Sequence, residues 1–298
     1  MDFILVVGSS NTDMVIQTDH LPAAGETIIG GNFFMNPGGK GANQAVAAAR
    51  LGARVKFVTK TGKDIFGQQA RDHFQSEGID ITGSVIDHSH PSGVALITVD
   101  QYGENTILVA SGANAQLFPT DIRYDSLMTN ECKAVLLQLE IPLATVVDVI
   151  KEGSQRKIPV ILNPAPAAKL PDEVLQNVTI LTPNEIEASM LTGIDVTDLD
   201  SAKLAGSWLL QKGIGTIVIT LGSKGALVCS KHGYLHVAAP EVQAVDTTAA
   251  GDVFSGALAS CISRAFTIED AVEFACRAAS VSVTRLGAQQ AVPYLHEL

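Results

Sequence analysis

One stretch of the chain combines a carboxylate with the backbone of a helix start. Ala249, Ala250 and Gly251 are three very small residues, and Asp252 follows them at the beginning of a small-residue helix that extends to about Arg264. The first turn of a helix carries free N–H groups and the positive end of its dipole, so it attracts anions. This arrangement favours a reaction in which the carboxylate takes a proton from a hydroxyl while the amides hold the charge of a transferring phosphoryl group. The alternative is an acid that only stabilises the helix dipole.

A second glycine-rich stretch, residues 37–45, reads Pro-Gly-Gly-Lys-Gly-Ala-Asn-Gln-Ala and enters an Ala-rich helix that ends at residues 51–52. It is not a Walker loop, because no Ser or Thr follows Lys40, and Gln44 breaks the dinucleotide pattern. A glycine turn with Lys40 and Asn43 on one helical turn could hold either a polyhydroxylated substrate or a phosphate.

Polar residues that follow predicted strands are candidates to complete a cleft. Open α/β sheets bind ligands beyond the carboxyl ends of their strands. Each residue alone is more often a cap or a solvated turn residue, but several at one edge predict a cleft lined with hydroxyl-binding groups. They are Asn11, Asp13, Lys40, Asn43 and Glu140.

Two further stretches have a structural and a functional interpretation. Asn184 and Glu187 lie three apart at a helix start, which suits either a capping box or oxygen groups near a hydrated Mg²⁺. Residues 220–225, Thr-Leu-Gly-Ser-Lys-Gly, could bind a nucleotide or form a plain tight turn. His88 and His90 lack a third ligand nearby and are interpreted as a solvated loop.

The hydrophobic pattern predicts the strands and helices that position these residues. With 298 residues, 46% hydrophobic and 17% charged, the chain can bury a sizeable core. Repeated strand–helix units from residue 55 onward predict an α/β fold, a doubly wound, mainly parallel sheet flanked by helices. The predicted strands are residues 3–7, 55–59, 134–139, 159–162, 179–181, 216–220 and 225–228, and the predicted helices are residues 64–76, 143–155, 184–191 and 199–211.

Some extended stretches do not fit that alternation. Residues 27–36, 93–100 and 105–110 are extended, and residues 101–104 between the last two are a plausible hairpin turn. We interpret them as a small inserted β-sheet that acts as a lid, formed by strands within about 14–36 and 92–110. The prediction is a single domain over residues 1–298.

Charge and cysteine content limit the classes of partner. The net charge of −11 disfavours nucleic acid and anionic membranes as partners, so an anionic ligand must be held by local dipoles, a few cations and a metal ion. The four cysteines form no C-x-x-C pair, residues 3–7 are too short for a signal peptide, and no stretch approaches transmembrane length. These features predict a soluble cytoplasmic protein.

Taken together, the two glycine-rich stretches resemble the two signatures of the PfkB carbohydrate kinases. Residues 36–52 and 246–258 carry them, and the likeness covers nearly the whole chain. Residues 163–167, 182–185 and 284–289 are most similar to members that phosphorylate ribose. The resemblance implies transfer of the γ-phosphate of ATP to the 5-hydroxyl of D-ribose, with Mg²⁺ required, a monovalent cation (K⁺) activating, and a homodimer formed through the lid.

The resemblance also assigns roles to individual residues. It implies Asp252 as the base, with the amides from Ala249 to Asp252 as the anion hole. The sugar-binding residues would be Asn11, Asp13, Gly39, Lys40, Asn43, Glu140 and Asp252. The nucleotide would contact Asn184, Thr220, Gly222, Ser223, Gly225, Gly251 and Cys276, with Glu187 ordering the magnesium waters. The monovalent-cation site would be Asp246, Thr248, Ser282, Arg285, Gly287 and Ala291.

Three positions depart from the family pattern, and two other functions stay open. Ala249 replaces a common glycine, Cys276 lies where a His often flanks the adenine, and Ala291 lacks a usual hydroxyl. The alternatives are a kinase for another pentose such as deoxyribose, or for a nucleoside, and a non-catalytic sugar or nucleotide sensor. A sensor would be expected to lose Asp252 or the small residues before it, and both are present.

Overall fold

Fourteen strands build the sheets of this protein. The computed structural model describes residues 1–298. The strands are β1 (Phe3–Val7), β2 (Asn11–Gln17), β3 (Asn32–Gly38), β4 (Val55–Val58), β5 (Lys60–Gly62), β6 (Val85–Asp87), β7 (Gly93–Val99), β8 (Asn105–Ala110), β9 (Cys132–Leu137), β10 (Val160–Leu162), β11 (Ile180–Leu181), β12 (Thr216–Thr220), β13 (Ala226–Ser230) and β14 (Gly233–Val237).

Nine α-helices connect and cover these strands. They are α1 (Lys40–Arg50), α2 (Ile65–Ser76), α3 (Tyr124–Leu127), α4 (Leu143–Gln155), α5 (Asp172–Leu175), α6 (Glu185–Thr192), α7 (Leu199–Gln211), α8 (Ala250–Ser263) and α9 (Ile268–Ser282). Short 3₁₀ helices are present at Gly112–Gln116, Pro119–Asp121, Gly222–Lys224, Gln289–Ala291 and Leu295–Glu297. The predicted helices are confirmed to within a residue or two at their ends.

The main sheet has eight strands in the order β14-β13-β12-β11-β10-β9-β1-β4. Neighbours from β12 to β4 are parallel, and β13 and β14 add an antiparallel edge. The predicted doubly wound, mainly parallel sheet is therefore confirmed. The edge strand β14 was not predicted, because most of its residues are exposed and carry no buried apolar pattern.

Helices pack on both faces of the main sheet, and β1 shows how. Ile4 and Val6 belong to one core cluster, which includes residues of α1, α8 and α9, whereas Leu5 and Val7 belong to a second cluster with residues of α4 and α7. Side chains of a strand alternate between the two faces, so a strand covered on both sides is a continuous apolar run. This explains why the short apolar runs of the sequence were predictable as strands.

The second sheet has four strands in the order β3-β2-β7-β8, and we call it the small sheet. The strands β2 and β3 together begin at Asn11 and end at Gly38, which lies outside the predicted limits of 14–36 at both ends. Residues 27–31, predicted to be extended, form no strand. Asn11 and Asp13, expected on a loop after β1, are instead the first and third residues of β2, because the chain turns directly into the small sheet. The hairpin of β7 and β8 lies where it was predicted.

Other sequence expectations concern histidines, cysteines and membrane spans. His88 and His90 are exposed, and no group of three or more His, Cys, Asp or Glu side chains is arranged to hold a metal ion. All four cysteines are buried and unpaired, as predicted. None of the helices has both the length and the apolar character needed to cross a membrane.

Candidate active site

A cavity of about 280 Å³ lies between the carboxyl edge of the main sheet and the small sheet. Glu140, Asn163 and Thr182 enter it from the loops after β9, β10 and β11, at the edge where open α/β sheets bind ligands. The cavity brings together thirteen of the residues singled out from the sequence, which are Asn11, Asp13, Gly39, Lys40, Asn43, Glu140, Asn184, Glu187, Thr220, Ala249, Ala250, Gly251 and Asp252.

Asp252 is buried in the first turn of α8, only 5% exposed, and side-chain amides hold both of its oxygens. Asn43 Nδ2 donates to Oδ2 and Gln44 Nε2 donates to Oδ1, each at 2.9 Å. The carboxylate is thus fixed in direction while it lines the cavity, which is the placement that a proton acceptor requires.

The amides of Gly251 and Asp252 have no acceptor within the protein. They belong to the first turn of α8, where intrahelical partners are missing, and both residues line the cavity. A Cβ added to Gly251 would meet no atom within 4 Å, so the space before these amides is open. Two free N–H groups at a helix start are suited to binding an anion, and here they adjoin the carboxylate of Asp252.

Ala249, the N-cap of α8, has the left-handed backbone φ of 59°. This conformation costs a residue with a Cβ roughly 1–2 kcal/mol. Asp246 is near this turn and accepts hydrogen bonds from the amides of Thr248 at 2.9 Å and of Gly287 at 2.8 Å. The strained turn that aims the α8 amides is therefore tied to the chain segment that follows α9.

Two glycines at the start of α1 allow the chain to approach β2 closely. Gly39 has φ of 89°, and a Cβ there would lie 2.8 Å from the amide nitrogen of Asn11. A Cβ on Gly38 would overlap the carboxyl group of Asp13. These glycines bring Lys40 and the strand that carries Asp13 to the same cavity wall.

Lys40 is a cation in a cavity that also contains the carboxylates of Asp13, Glu140, Glu187 and Asp252. Asp252 is the main cause of a raised Lys40 pKa, which burial opposes and which Glu140 and Glu187 support. Lys40 therefore stays protonated and offsets part of the negative charge that an anionic ligand would meet.

Asp13 and Glu140 present carboxylate oxygens to the cavity in different ways. The Oε2 atom of Glu140 accepts from Ser9 Oγ at 2.6 Å and from the Lys40 amide at 3.0 Å, which leaves Oε1 free. Asp13 has no hydrogen-bond donor in the protein, and burial, with the charges of Glu140 and Asp252, raises its pKa to about 6. Such acceptors are suited to the hydroxyls of a sugar.

Replacing Asp13 by Asn is expected to stabilise the unliganded protein at neutral pH. The pKa of Asp13 rises from 3.8 to about 6 on folding, so the native state loses stability as the pH rises between these values. A shift of this size corresponds to at most roughly 3 kcal/mol. Thermal unfolding should show a gain for Asp13→Asn at pH 7.5 that disappears at pH 4. The exposed Asp19→Asn variant serves as control, and a gain independent of pH would contradict the burial argument.

Asn11 is oriented by a residue that the sequence did not single out. Asn114 is 1% exposed, and its Nδ2 donates to Asn11 Oδ1 at 2.8 Å. Asn114 also bonds the backbone of Ser10 through both ends of its amide. Because the Oδ1 atom of Asn11 is engaged in this way, Asn11 is left with its Nδ2 donor for a ligand.

Only some of the residues predicted to contact the nucleotide line the cavity. Asn184 caps α6 and forms a capping box with Glu187, so the structural interpretation of this pair holds, and both residues also line the cavity. Asn184 forms a parallel bridge with Thr220. Burial is the main cause of a raised Glu187 pKa.

Four other nucleotide candidates do not line this cavity. Gly222 and Ser223 lie in the exposed 3₁₀ helix after β12, and Gly225 packs against the backbone of β14. Cys276 is 4% exposed in the core beside α8, and burial raises the pKa of its thiol to about 11. Their roles toward a nucleotide stay predictions.

The six cation candidates come from two segments that the structure joins. The Val283 carbonyl accepts from the amides of Val245 and Asp246, and Asp246 accepts from Gly287. Ser282 ends α9, Ala291 is buried in a 3₁₀ helix, and the Arg285 guanidinium pairs with Glu297. None of the six lines the cavity.

Sequence reasoning missed several polar groups at or beneath the cavity. Asn163 and Thr182 follow strand ends, as Glu140 does, so the same rule would have found them. Gln44, Asn114, Gln138 and Gln289 gave no such signal, because their partners are distant in sequence. Gln289 Nε2, for example, donates to Asn43 Oδ1 at 3.0 Å.

Comparison with known proteins gives an independent description of this chain. Residues 1–295 match the pfkB family of carbohydrate kinases. A ribokinase of Haemophilus influenzae is 42% identical over 294 residues, which cover 99% of this chain and 96% of that protein. A deoxyribokinase of Salmonella typhi is 39% identical over 295 residues, with 99% and 96% covered. The solved structure of Arabidopsis thaliana ribokinase complexed with ribose and ATP has a TM-score of 0.92 at 32% identity, covering 99% of this chain and 97% of that one.

Proposed function

Because the chain belongs to the pfkB family of carbohydrate kinases, we propose that it transfers the γ-phosphate of ATP to the 5-hydroxyl of D-ribose. The observation that carries this proposal is the buried Asp252 beside two free helix amides, in a cavity that also presents Asp13 and Glu140. Release of ADP from ATP in the presence of each of a panel of sugars tests it. No release of ADP with ribose would contradict it.

Each part of the cavity has one task in this reaction. Asp13, Glu140 and Asn11 hold the sugar hydroxyls, and Asp252 Oδ accepts the proton of the attacking hydroxyl. The amides of Gly251 and Asp252 hold the charge on the transferring phosphoryl group. Phosphoryl transfer requires positioning, charge neutralisation and a proton acceptor, and these groups supply them.

A Mg²⁺ ion fits this cavity as a partner of the nucleotide. Glu187 and Asp252 both line the cavity, and no group of three or more His, Cys, Asp or Glu side chains forms a protein cage for a metal. This donor set suits an ion that keeps water ligands and is held mainly by phosphates. When bound, Mg²⁺ neutralises charge on the β- and γ-phosphates.

A second candidate function is phosphorylation of 2-deoxyribose, which the deoxyribokinase relative favours. The half-buried Asp13 argues for ribose, because an unpaired buried acceptor costs about 1–3 kcal/mol when a hydroxyl is missing. We expect kcat/KM for ribose to exceed that for 2-deoxyribose by roughly tenfold to a hundredfold, measured at saturating ATP. Equal values for the two sugars would move the assignment to the second candidate.

We also propose that K⁺ binds between the Asp246–Thr248 turn and the segment that follows α9. Asp246 supplies the only carboxylate there, and the backbone of both segments supplies further oxygens. An ion at this place would stiffen the turn that aims the α8 amides. A K⁺ titration at constant ionic strength tests the assignment, and an unchanged rate would contradict it.

The small sheet is proposed to be a lid and the contact of a homodimer. Its cavity face carries Ala95 and Val109, whereas the outer face has an aligned row of apolar side chains, Met35, Met14, Leu96 and Leu108. Leu96 is 53% exposed and Leu108 71%. A row of this kind marks an interaction surface, and the family resemblance supports a second copy as its partner.

Replacing Leu96 by Lys is expected to give a monomer, since it places a charge in the middle of this apolar row. Sedimentation velocity measures the change in mass. The Leu204→Lys variant on α7 is a matched control, because Leu204 is an exposed leucine remote from the small sheet. A wild-type protein that is already monomeric would contradict the dimer proposal.

Buried, unpaired cysteines support a cytoplasmic location for the enzyme.

A further inference from the structure

Beneath the cavity, Gln44 connects Asp252 to the carboxyl ends of two strands. Gln44 lies in α1, is 0% exposed and does not line the cavity. Its Nε2 atom donates to Asp252 Oδ1 at 2.9 Å and to Asn163 Oδ1 at 3.1 Å. Its Oε1 atom accepts from Gln138 Nε2 at 2.5 Å. Gln44 is therefore hydrogen-bonded at every end of its amide.

The neighbours of Gln44 determine which way its amide points. Both partners of Nε2 are oxygens, so a reversed amide would place Oε1 against two acceptors. Asn163 is itself oriented, because its Nδ2 donates to the Thr182 carbonyl at 2.9 Å. Gln138 then completes the set by donating to the other end. Gln138, Gln44 and Asn163 thus form a buried hydrogen-bonded relay. The relay directs one N–H group of Gln44 toward Oδ1 of Asp252.

The burial of Gln138 costs free energy of folding, which its hydrogen bond to Gln44 must offset. It is 1% exposed, and its own Oε1 has no hydrogen-bond partner. A Cβ on Gly8 would lie 2.1 Å from that atom, so Gly8 provides the space that Gln138 occupies. A buried acceptor without a partner destabilises a fold, and apolar residues of similar size would avoid the cost. Such violations of packing rules are expected at functional sites.

We propose that Gln44 is a positioning residue that aims the carboxylate of Asp252, and that Gln138 acts through Gln44. The proposal rests on the proposed kinase function, in which Asp252 accepts the proton. Asn43 holds the other oxygen of Asp252, but Asn43 also lines the cavity, whereas Gln44 and Gln138 do not line it. Loss of the relay should therefore lower kcat while leaving KM for the sugar almost unchanged.

The test compares Gln44→Met, Gln138→Met and the double variant, since Met has a similar length but neither donates nor accepts strongly. We expect kcat with ribose to fall about ten- to a hundredfold for Gln44→Met and about three- to tenfold for Gln138→Met, with KM within about twofold of wild type. The double variant should match Gln44→Met alone, because Gln138 acts only through Gln44. Ser260→Ala in α8 is the control, since it loses a buried hydrogen bond to the Leu51 carbonyl outside the site.

Each result supports or overturns the proposal. A wild-type kcat in folded Gln44→Met, losses in the two single variants that multiply in the double variant, or an equal kcat loss in Ser260→Ala would overturn it. If Gln44→Met does not fold, Gln138→Met decides, and a wild-type kcat there overturns the relay. Wild-type protein that does not phosphorylate ribose would contradict the proposed function itself and the relay with it, a result distinct from failure of the variants alone.

Discussion

Asp252→Asn should lower kcat by at least about 10²-fold while the protein folds and binds ribose with nearly unchanged affinity. The substitution keeps the shape of the side chain and removes the proton acceptor. Asn43 and Gln44 both donate to the carboxylate at 2.9 Å, so one of these donors would face the new NH₂ group and lose its bond. The expected loss of stability is on the order of 1–3 kcal/mol, which thermal unfolding measures.

Steady-state kinetics and ribose calorimetry together test this expectation. The matched control is Asp200→Asn, because Asp200 is an exposed acid in the first turn of another helix, α7. It should leave kcat unchanged. A correctly folded Asp252→Asn protein with near-normal turnover would show that the proton leaves by another route and would contradict the role of Asp252.

Gly251→Ala is expected to lower kcat/KM by roughly 10²- to 10³-fold, comparable to the loss of an anion-hole donor, without loss of stability. The new methyl group would enter open space beside the α8 amides, because it meets no atom within 4 Å outside the adjoining turn of α8. Nothing in the unliganded fold opposes it, and Ala is a better helix residue than Gly by up to about 1 kcal/mol. The unfolding temperature should stay equal or rise slightly.

Gly256→Ala in the same helix is the matched comparison, with the opposite expected result. Its methyl group would lie 2.6 Å from Ala47 Cβ and from the Gln44 carbonyl, so α1 and α8 would have to separate. Overpacking of this kind costs about 1–3 kcal/mol. If Gly251→Ala lost stability and kept its activity, the space before the amides would not be the phosphoryl site.

Much of the main sheet was predictable because its strands are short apolar runs covered on both faces. Residues 3–7 and 216–220 are examples in which burial alone selects the strand. The same reasoning missed Gly233–Val237, since most residues of this edge strand are exposed and show no buried apolar pattern, although it pairs with β13. It also misplaced the start of β2, because the polarity of Asn11 and Asp13 was interpreted as that of a loop. The two residues lie in the strand and line the cavity.

The candidate site was predictable where one segment carries the chemistry. The small residues before Asp252 indicate the start of a helix, and polar residues at the ends of strands indicate the edge of a cleft. The orientation of the side chains was not predictable, because it depends on amides from other elements. Gln138 reaches Gln44 across 94 positions and Gln289 reaches Asn43 across 246, and no local pattern encodes such pairs.

The contact between α1 and α8 has a mechanical consequence. Gly256 lies against Ala47 with no room for one more methyl group, and the first turns of both helices carry residues that line the cavity. A shear between the two helices would drive backbone into backbone, so the pair behaves as one stiff block. For the proposed kinase, this block fixes the distance between the proton acceptor on α8 and the sugar-binding groups on α1 when the chain folds, and closure over the substrates is assigned to the small sheet, the proposed lid.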